Sequence, residues 1–553
     1  MSGIGGIISP NAAGQIGENM YEALKERGAD THGAYISKEL CLIHTGYKEP
    51  TGGKQPTRAV FGQKACVVAI DGELYNSEEL QKELAKLGHK LADTSDAAVV
   101  AHCYMAWGQS CPERMNGIFA FAVWDGEGLF FARDRLGVCP LFYSVGTYGL
   151  VFASNIKGIL AHPQIEPVIG EEGILEILML GPGRSPANSI FKNIKELAPG
   201  ECAYYKDGLK TNTYWRLSAK THLDSFAQTV ETVRHLLTDT VKRQAAKGGR
   251  VSNLSLGGLG CAALANITRA NNYSINFVGS QSEDNEQGVT RIILGSDQLA
   301  DALETAILTR GLPGMADIDA ALLLSLQHLE NAVFLSTGAE EIFGGHPWYQ
   351  DEELKTFPWA QNVEYRAKFI KQGICQASPQ EYVRHRYERA IQAASTLYDD
   401  DKKETQIRQL FNLNLGWFLQ TQLSSNDSMS VKVRIRTPFL DHRLVEYMYN
   451  VPWEMKTGLL REILQVSEKT LTREKNPLAK TQNPGYTRRV QDMLKDVLNQ
   501  NAPIFELVSK KALSELLETQ TINWYGQLMA YPQTIAYFLQ INSWMENYKV
   551  KLG

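Results

Sequence analysis

Val251-Ser252-Asn253-Leu254-Ser255-Leu256 runs into Gly257-Gly258-Leu259-Gly260, and the stretch from Cys261 to Ala270 that follows is helix-like. A short β-like run that ends in a glycine turn and passes into a helix is the first half of a βαβ unit. Tyr273 to Val278 supplies a second short strand. Further on, Asp319 to Leu329 is helical in pattern and Asn331 to Ser336 is strand-like. The alternation predicts a parallel sheet with helices on both faces. Just upstream, Ser225 to Ala246 has helical periodicity, and from about residue 350 onward the chain reads as mostly helical.

The first 200 or so residues read differently, as short strands with a few helices. Asn76-Ser77-Glu78-Glu79 predicts an N-cap with an acid three residues on. Leu80, Leu84 and Leu87 then share one helical face, and Gly88 stops the helix. Ile118 to Asp125, Gly128 to Ala132 and Pro140 to Ser144 are aromatic and aliphatic runs separated by turn signals, which predicts paired strands. The polar stretch from Lys206 to Lys220 is the expected hinge, dividing the chain into units 1–205 and 216–553.

A length of 553 residues is too great for one ordinary core and agrees with two or more domains. Hydrophobic residues at 44% and charged residues at 21% are those of a globular protein. A net charge of −5 provides no footprint for a polyanion, so no nucleic-acid partner is expected. The longest apolar stretches, such as Ile118 to Trp124, fall far short of the roughly 20 residues that span a bilayer. The start, Met1-Ser2-Gly3-Ile4, lacks a basic region, so no signal peptide and a cytoplasmic location are expected. None of the eight cysteines falls in a C-x-x-C pair, so no zinc site is expected.

Six further stretches, in order, carry a resemblance. They are Arg27-Gly28-Ala29-Asp30, Asp71-Gly72-Glu73-Leu74-Tyr75-Asn76, Met115-Asn116-Gly117 through Asp125, Arg133-Asp134-Arg135-Leu136-Gly137, Gly338-Ala339-Glu340-Glu341-Ile342-Phe343-Gly344-Gly345, and Pro438-Phe439-Leu440-Asp441-His442-Arg443. They resemble, respectively, the R-G-P-D, N-G-E-I-Y-N, M-x-G-x-F-A-F-A-x-W-D, R-D-R-L-G, G-A-D-E-L-F-G-G and P-F-L-D-H-R motifs of the glutamine-dependent asparagine synthetase family. The resemblance covers nearly the whole chain. It implies an α/β protein: an N-terminal Ntn-type αββα sandwich of the class II glutamine amidotransferase kind, then a parallel-sheet synthetase domain of the ATP-pyrophosphatase type with a mostly helical C-terminal region. It also implies a homodimer.

The departures from those motifs bear on chemistry. The family cuts glutamine with the thiol of a cysteine at position two, using its freed α-amine as base. Here that position is Ser2, whose hydroxyl is a far weaker nucleophile near neutral pH. The stretch His44-Thr45-Gly46-Tyr47 lacks the family's carboxylate-holding arginine, and Asp71 replaces the asparagine that donates to the oxyanion. A carboxylate there repels the charge that develops, whereas losing one such donor alone costs roughly 3–4 kcal/mol. Glu73 and Asp96 still match positions that bind substrate in the family.

In the second half the family's S-G-G-L-D-S loop holds pyrophosphate through backbone N–H groups and hydroxyls, and Mg²⁺ through its aspartate. This chain has Leu256-Gly257-Gly258-Leu259-Gly260-Cys261, without either serine or the aspartate. The second acid of the metal pair falls at Glu340, the acid before G-A-D is Thr337, and the glutamate of L-E-x-R is Arg434. A turn without oxygen ligands does not hold Mg–ATP, so no metal and no cofactor are expected. Gly257 and Gly258 keep the turn's glycines as ligand-binding candidates. Lys475 matches the lysine that steadies pyrophosphate, and His346 stands where the family has tyrosine.

Three functional readings follow. One is an ATP-independent biosynthetic enzyme, condensing or cyclising a small molecule in the old synthetase cleft by positioning alone. Its expected catalytic groups are Glu340, Lys475, His346 and Glu341, an acid, a base and their neighbours in one cleft. Another is a non-catalytic partner or regulator, and a third is an ATP-dependent amide-forming enzyme with a variant site. Cys261, at a helix N-terminus where a thiol pKa can fall, is a further nucleophile candidate.

Overall fold

The computed structural model describes residues 2–9, 14–47, 53–248, 251–255, 259–270, 274–278, 289–351, 354–429, 433–464, 483–519 and 529–553. The N-terminal half holds two antiparallel six-stranded sheets. In chain order its strands are β1 (Ser2–Ile8), β2 (Thr31–Ile36), β3 (Leu40–Gly46), β4 (Thr57–Phe61), β5 (Lys64–Leu74), β6 (Gly117–Trp124), β7 (Leu129–Arg133), β8 (Phe142–Gly146), β9 (Gly149–Ala153), β10 (Val168–Ile169), β11 (Lys195–Glu196), β12 (Glu201–Tyr205) and β13 (Leu209–Thr213). The first sheet has the order β11-β8-β9-β1-β3-β2 and the second β13-β12-β7-β6-β5-β4.

Period-two alternation decides what each face meets. Ile4, Leu40 and Leu42 of the first sheet pack on Val67, Ala69, Ala120 and Phe131 of the second. On the far side of the first sheet Ile7, Cys41 and Ile43 meet Met20 and Leu24 of the helix Gly14–Leu24. On the far side of the second, Val68, Phe119, Phe121 and Phe130 meet Val99, Val100 and Cys103 of the helix Asp96–Trp107. The layers are therefore helix, sheet, sheet, helix, as expected from the sequence. The second sheet takes in residues up to Thr213, because Glu201↔Thr213 to Tyr205↔Leu209 form a hairpin.

The C-terminal half is built on β14 (Val251–Ser255), β15 (Ser274–Val278), β16 (Val289–Ile292), β17 (Ala332–Phe334) and β18 (Arg434–Arg436). Their order is β16-β15-β14-β17-β18 and every pairing is parallel. The helices Phe226–Ala246 and Leu259–Ala270 cover one face through Val233, Leu237, Val241, Ala263 and Leu264. The helices Ser296–Arg310 and Ala316–Leu326 cover the other through Leu299, Leu303, Ala320 and Leu323. The strand and helix expected over 251–270 are present, as Val251–Ser255 and Leu259–Ala270. Leu256, Gly257 and Gly258 lie outside the described residues, as does Lys475.

One expected detail is corrected. Asn76 occupies the N-cap position of the helix Ser77–Lys86 but makes no side-chain cap bond. Its amide instead donates to Arg114 O at 2.9 Å and accepts from Asn116 N at 2.9 Å. Two backbone groups brought in by the fold have won the side chain from the helix end. Among the described residues no helix is long and apolar enough to cross a membrane.

Candidate functional site

Two sites are described, of which the first lies where the halves meet. The first starts at Ser2, the first residue of β1, paired with Gly46. Ser2 Oγ donates to Asp71 Oδ1 at 3.0 Å. Asp71 Oδ2 accepts from Arg27 Nη2 at 2.7 Å and from Ser154 Oγ at 3.0 Å. Arg27 Nε donates to Ser2 O at 3.0 Å. The same guanidinium reaches across to Asp427 of the helix Leu419–Met429, donating to Oδ1 at 2.9 Å and also to Oδ2. Burial opposes the Arg27 charge, but the two carboxylates outweigh it and raise its pKa further. Burial also pushes the Asp427 carboxyl up, with Arg27 opposing. The Ser2 hydroxyl is therefore spent on a carboxylate that is itself held by an arginine.

A cavity of about 790 Å³ opens beside Ser2, walled by both halves. Glu73 and Asp96 lie on its wall. Each is met by a cation from the C-terminal half. Arg434 Nη1 donates to Glu73 Oε1 at 2.5 Å, while Arg436 donates from Nη2 to Oε1 at 2.8 Å and from Nε to Oε2 at 3.0 Å. Lys247 Nζ lies 2.7 and 2.9 Å from the two Asp96 oxygens. Asp96 also accepts from Leu74 N at 2.9 Å and from Ser77 Oγ. Arg436 and Lys247 were not singled out from the sequence. The signal for Arg436 existed: Arg434-x-Arg436 on a strand puts both guanidinium groups on one face.

The second site lies at the end of β17. Gly338, at φ 95°, turns the chain into the short helix Ala339–Phe343, and Gly344, at φ 70°, ends it. A Cβ on Gly338 would sit 2.3 Å from Leu440 Cδ2, so the P-F-L-D segment presses on this turn. The helix aims Glu341 inward and leaves Glu340 about one-third exposed. His346 bridges them, with Nε2 3.0 Å from Glu341 Oε1 and Nδ1 3.7 Å from Glu340 Oε2. The imidazole is 4% exposed and stacks on Trp348 at 4.3 Å between centroids. Burial works against the Glu341 charge, but the hydrogen bond and charge of His346 outweigh it and hold its carboxyl below the usual range. Gln422 Nε2 adds a bond at 3.3 Å. An ionised Glu341 only accepts, so His346 Nε2 is the donor of that bond, and Nδ1 is the nitrogen on the side of Glu340.

The other expected groups are placed as follows. Thr337 Oγ1 accepts from Asn426 Nδ2 at 2.9 Å. Cys261 Sγ lies 2.9 Å from Ser336 Oγ and is buried. A Cβ on Gly260 would fall 2.5 Å from Ala339 Cβ, so no carboxylate-bearing residue fits at that turn without displacement. Among the described residues no group of three or more His, Cys, Asp or Glu is arranged to hold a metal ion.

A two-sheet sandwich whose first strand begins at Ser2, followed by a five-stranded parallel sheet with helices on both faces, is the architecture against which the known families are compared. Residues 1–215 match the model of the glutamine amidotransferase domain and residues 232–546 that of asparagine synthase. The chain is 36% identical to asparagine synthetase [glutamine-hydrolyzing] 3 of Bacillus subtilis (strain 168), over 97% of each chain. It is 24% identical to the amidase chyE of Penicillium rubens, over 83% of this chain and 81% of the relative. The chain belongs to the asparagine synthetase family.

Proposed function

We propose that this family member has given up both glutamine hydrolysis and adenylation, and runs an ATP-independent condensation or cyclisation of a small molecule in its C-terminal cleft. The observation that carries the reading is the Glu340–His346–Glu341 set. Glu341 fixes the tautomer and orientation of a buried imidazole whose other nitrogen faces Glu340, the member of the set that reaches solvent. Glu340 is the proposed proton donor or acceptor toward a bound substrate, with the His346–Glu341 pair behind it. The cleft supplies positioning, which alone lowers barriers for ring closure and condensation. Neither ATP nor Mg²⁺ enters the reading, in line with Gly260 and the paired state of the local acids. Lys475 is the remaining proposed acid–base partner. The proposed setting is specialised metabolism in the cytoplasm, with the chain as a homodimer.

A second reading, a non-catalytic partner or regulator, draws support from the Ser2 hydroxyl being tied to Asp71. One experiment divides them. Metabolites of cells carrying the chain are compared by mass spectrometry with those of cells carrying Glu340→Gln or His346→Asn. The enzyme reading expects a product that disappears with the first substitution and falls with the second. An unchanged product set refutes it. Purified protein given glutamine, aspartate and Mg–ATP is expected to release no glutamate, AMP or pyrophosphate. Release of AMP and pyrophosphate overturns the ATP-independent reading in favour of an amide-forming ligase.

A further inference from the structure

The helix Asp96–Trp107 lies on the outer face of the second sheet, and its first residue, Asp96, makes the ion pair with Lys247 across the halves. About 9 Å further along its axis, His102 meets His89. His89 is fixed by the end of the helix Ser77–Lys86: its N–H donates to Leu84 O at 3.0 Å, and Gly88, at φ 87°, makes the turn. Its ring stacks on Phe61 of β4, with centroids 3.6 Å apart and planes 15° from parallel. His102 stands edge-on to it at 84°, and the two Nδ1 atoms are 2.8 Å apart. The rings are 4% and 7% exposed. The cluster beside them is apolar, with Ala59 and Phe61 from β4, Leu80 and Leu84 from the preceding helix, and Leu91. The other charged group that bears on the pair is Lys64 of β5, whose Nζ donates to Met105 O at 2.7 Å. The acids of the adjoining elements are turned to other partners, Glu83 to Arg114 and Asp93 to Ser95, and among the described residues no carboxylate bears on either ring.

Two ring nitrogens facing each other at this distance need one hydrogen between them. Two neutral imidazoles supply it, one as donor and one as acceptor. A first added proton goes to the outer nitrogen of the donor ring and leaves the contact intact. A second makes both rings imidazolium, so that each Nδ1 carries a hydrogen and two like charges face each other without an anion to offset them. Burial, the charge of His102 and that of Lys64 all push the His89 pKa down, and burial pushes that of His102 down. Both folded-state values therefore lie below those of the unfolded chain, which takes up both protons as pH falls through about 6.5. Stability from this contact is present above that pH and is lost as pH falls through the folded values.

We propose that the His89–His102 contact is an acid-operated latch: near neutral pH it fastens the helix Asp96–Trp107 to the turn after the preceding helix, and its release in acid loosens that helix and, at its first residue, the Asp96–Lys247 tie between the halves. The latch is independent of any chemistry at Glu340. Its test is amide hydrogen exchange of the full chain, read by mass spectrometry from about pH 7.5 to about pH 5, corrected for the intrinsic rate and referred to the helix Phe226–Ala246. In the wild type, protection over 96–107 is expected to fall at least about tenfold across that range relative to the reference helix, the effect of one proton bound only by the open state over one pH unit. His102→Leu, which takes no charge, is expected to have lower protection at pH 7.5 and no further fall on acidification, and His89→Phe to behave alike. In wild-type protein with ring-labelled histidine, NMR is expected to show the two rings titrating in separate steps, the second coinciding with the loss of protection. Protection over 96–107 that stays level with the reference helix, an equal acid-induced fall in either variant, or two rings titrating together near pH 6.5 overturns the proposal. If both variants fail to fold, the wild-type exchange and the ring titrations decide it.

Discussion

Lys456 offers a measurement of what the interior of the C-terminal half costs a charge. It lies in the helix Trp453–Leu464 and is 3% exposed. Its Nζ sits 4.8 Å from the centroid of the Phe411 ring. Burial pushes its ammonium down from 10.5 to about 7, with Glu404 opposing and Arg408 adding. Glu404 is itself engaged, accepting from Trp453 N at 2.7 Å. The folded state therefore binds fewer protons than the unfolded state between pH 7 and 10.5, and stability must rise with pH across that window. Evaluated at pH 7, the shift corresponds to a penalty on the order of 4 kcal/mol. Lys456→Met keeps the stem's packing and removes the charge. Its unfolding free energy, from urea titrations followed by tryptophan fluorescence, is expected to exceed the wild type's at pH 7 by a few kcal/mol. The advantage is expected to shrink toward pH 10, as the wild-type lysine loses its proton in both states. A variant that is less stable than the wild type at pH 7, or that keeps the wild type's upward slope between pH 7 and 10, refutes the assignment of a strained buried ammonium at this position.

Three further outcomes are expected. Arg27→Met leaves Asp71 and Asp427 buried without their cation and is expected to cost about 3–5 kcal/mol, read by the same titrations. Gly338→Ala places a Cβ at φ 95° against Leu440 and is expected to cost about 2–3 kcal/mol and to diminish any product that depends on Glu340, read by denaturation and mass spectrometry together. Ser2→Ala removes one hydrogen bond while Asp71 keeps Arg27 and Ser154, so stability is expected to fall by about 1 kcal/mol and cellular product to stay unchanged.

The parallel sheet was legible because its evidence is local. A β-like run, a glycine turn and a helix at 251–270 carry the alternation within a few residues, and Ala332–Phe334 repeats the strand pattern. The sandwich was legible for the same reason in Gly117–Trp124 and Leu129–Arg133, whose apolar runs flank a short turn. The link between His346 and Glu341, five positions apart, follows from chain proximity once the turn at Gly344–Gly345 is recognised. What sequence could not supply is the partner of a charge when that partner is far along the chain. Glu73 reads as a pocket acid until Arg434 and Arg436, 361 and 363 positions away, are brought to it by a parallel strand at the sheet edge. Asp427 has no sequence signal at all, because its role exists only through Arg27, 400 positions earlier. Asn76 failed as a cap for the related reason that its competitors, Arg114 O and Asn116 N, lie on another turn.

The distribution of these ion pairs says what they are for. Buried pairs contribute little net stability, because desolvating both partners offsets most of their attraction, and apolar residues of similar volume often do as well. Yet Arg27–Asp427, Glu73–Arg434, Glu73–Arg436 and Asp96–Lys247 all cross from one half of the chain to the other. Such pairs tolerate only one registration of the two halves, since a small displacement leaves charge without a partner at a cost that packed hydrocarbon does not exact. They therefore set the position of one half against the other more than they hold it there. The carboxylates of Glu73 and Asp96, which lie on the cavity wall, are among the groups that fix that position. On that basis Lys247→Ala and Arg434→Gln are expected to raise hydrogen exchange on both sides of the interface, in the helix Asp96–Trp107 and in Arg434–Arg436, and exchange confined to the substituted side would show that the halves are registered by other means.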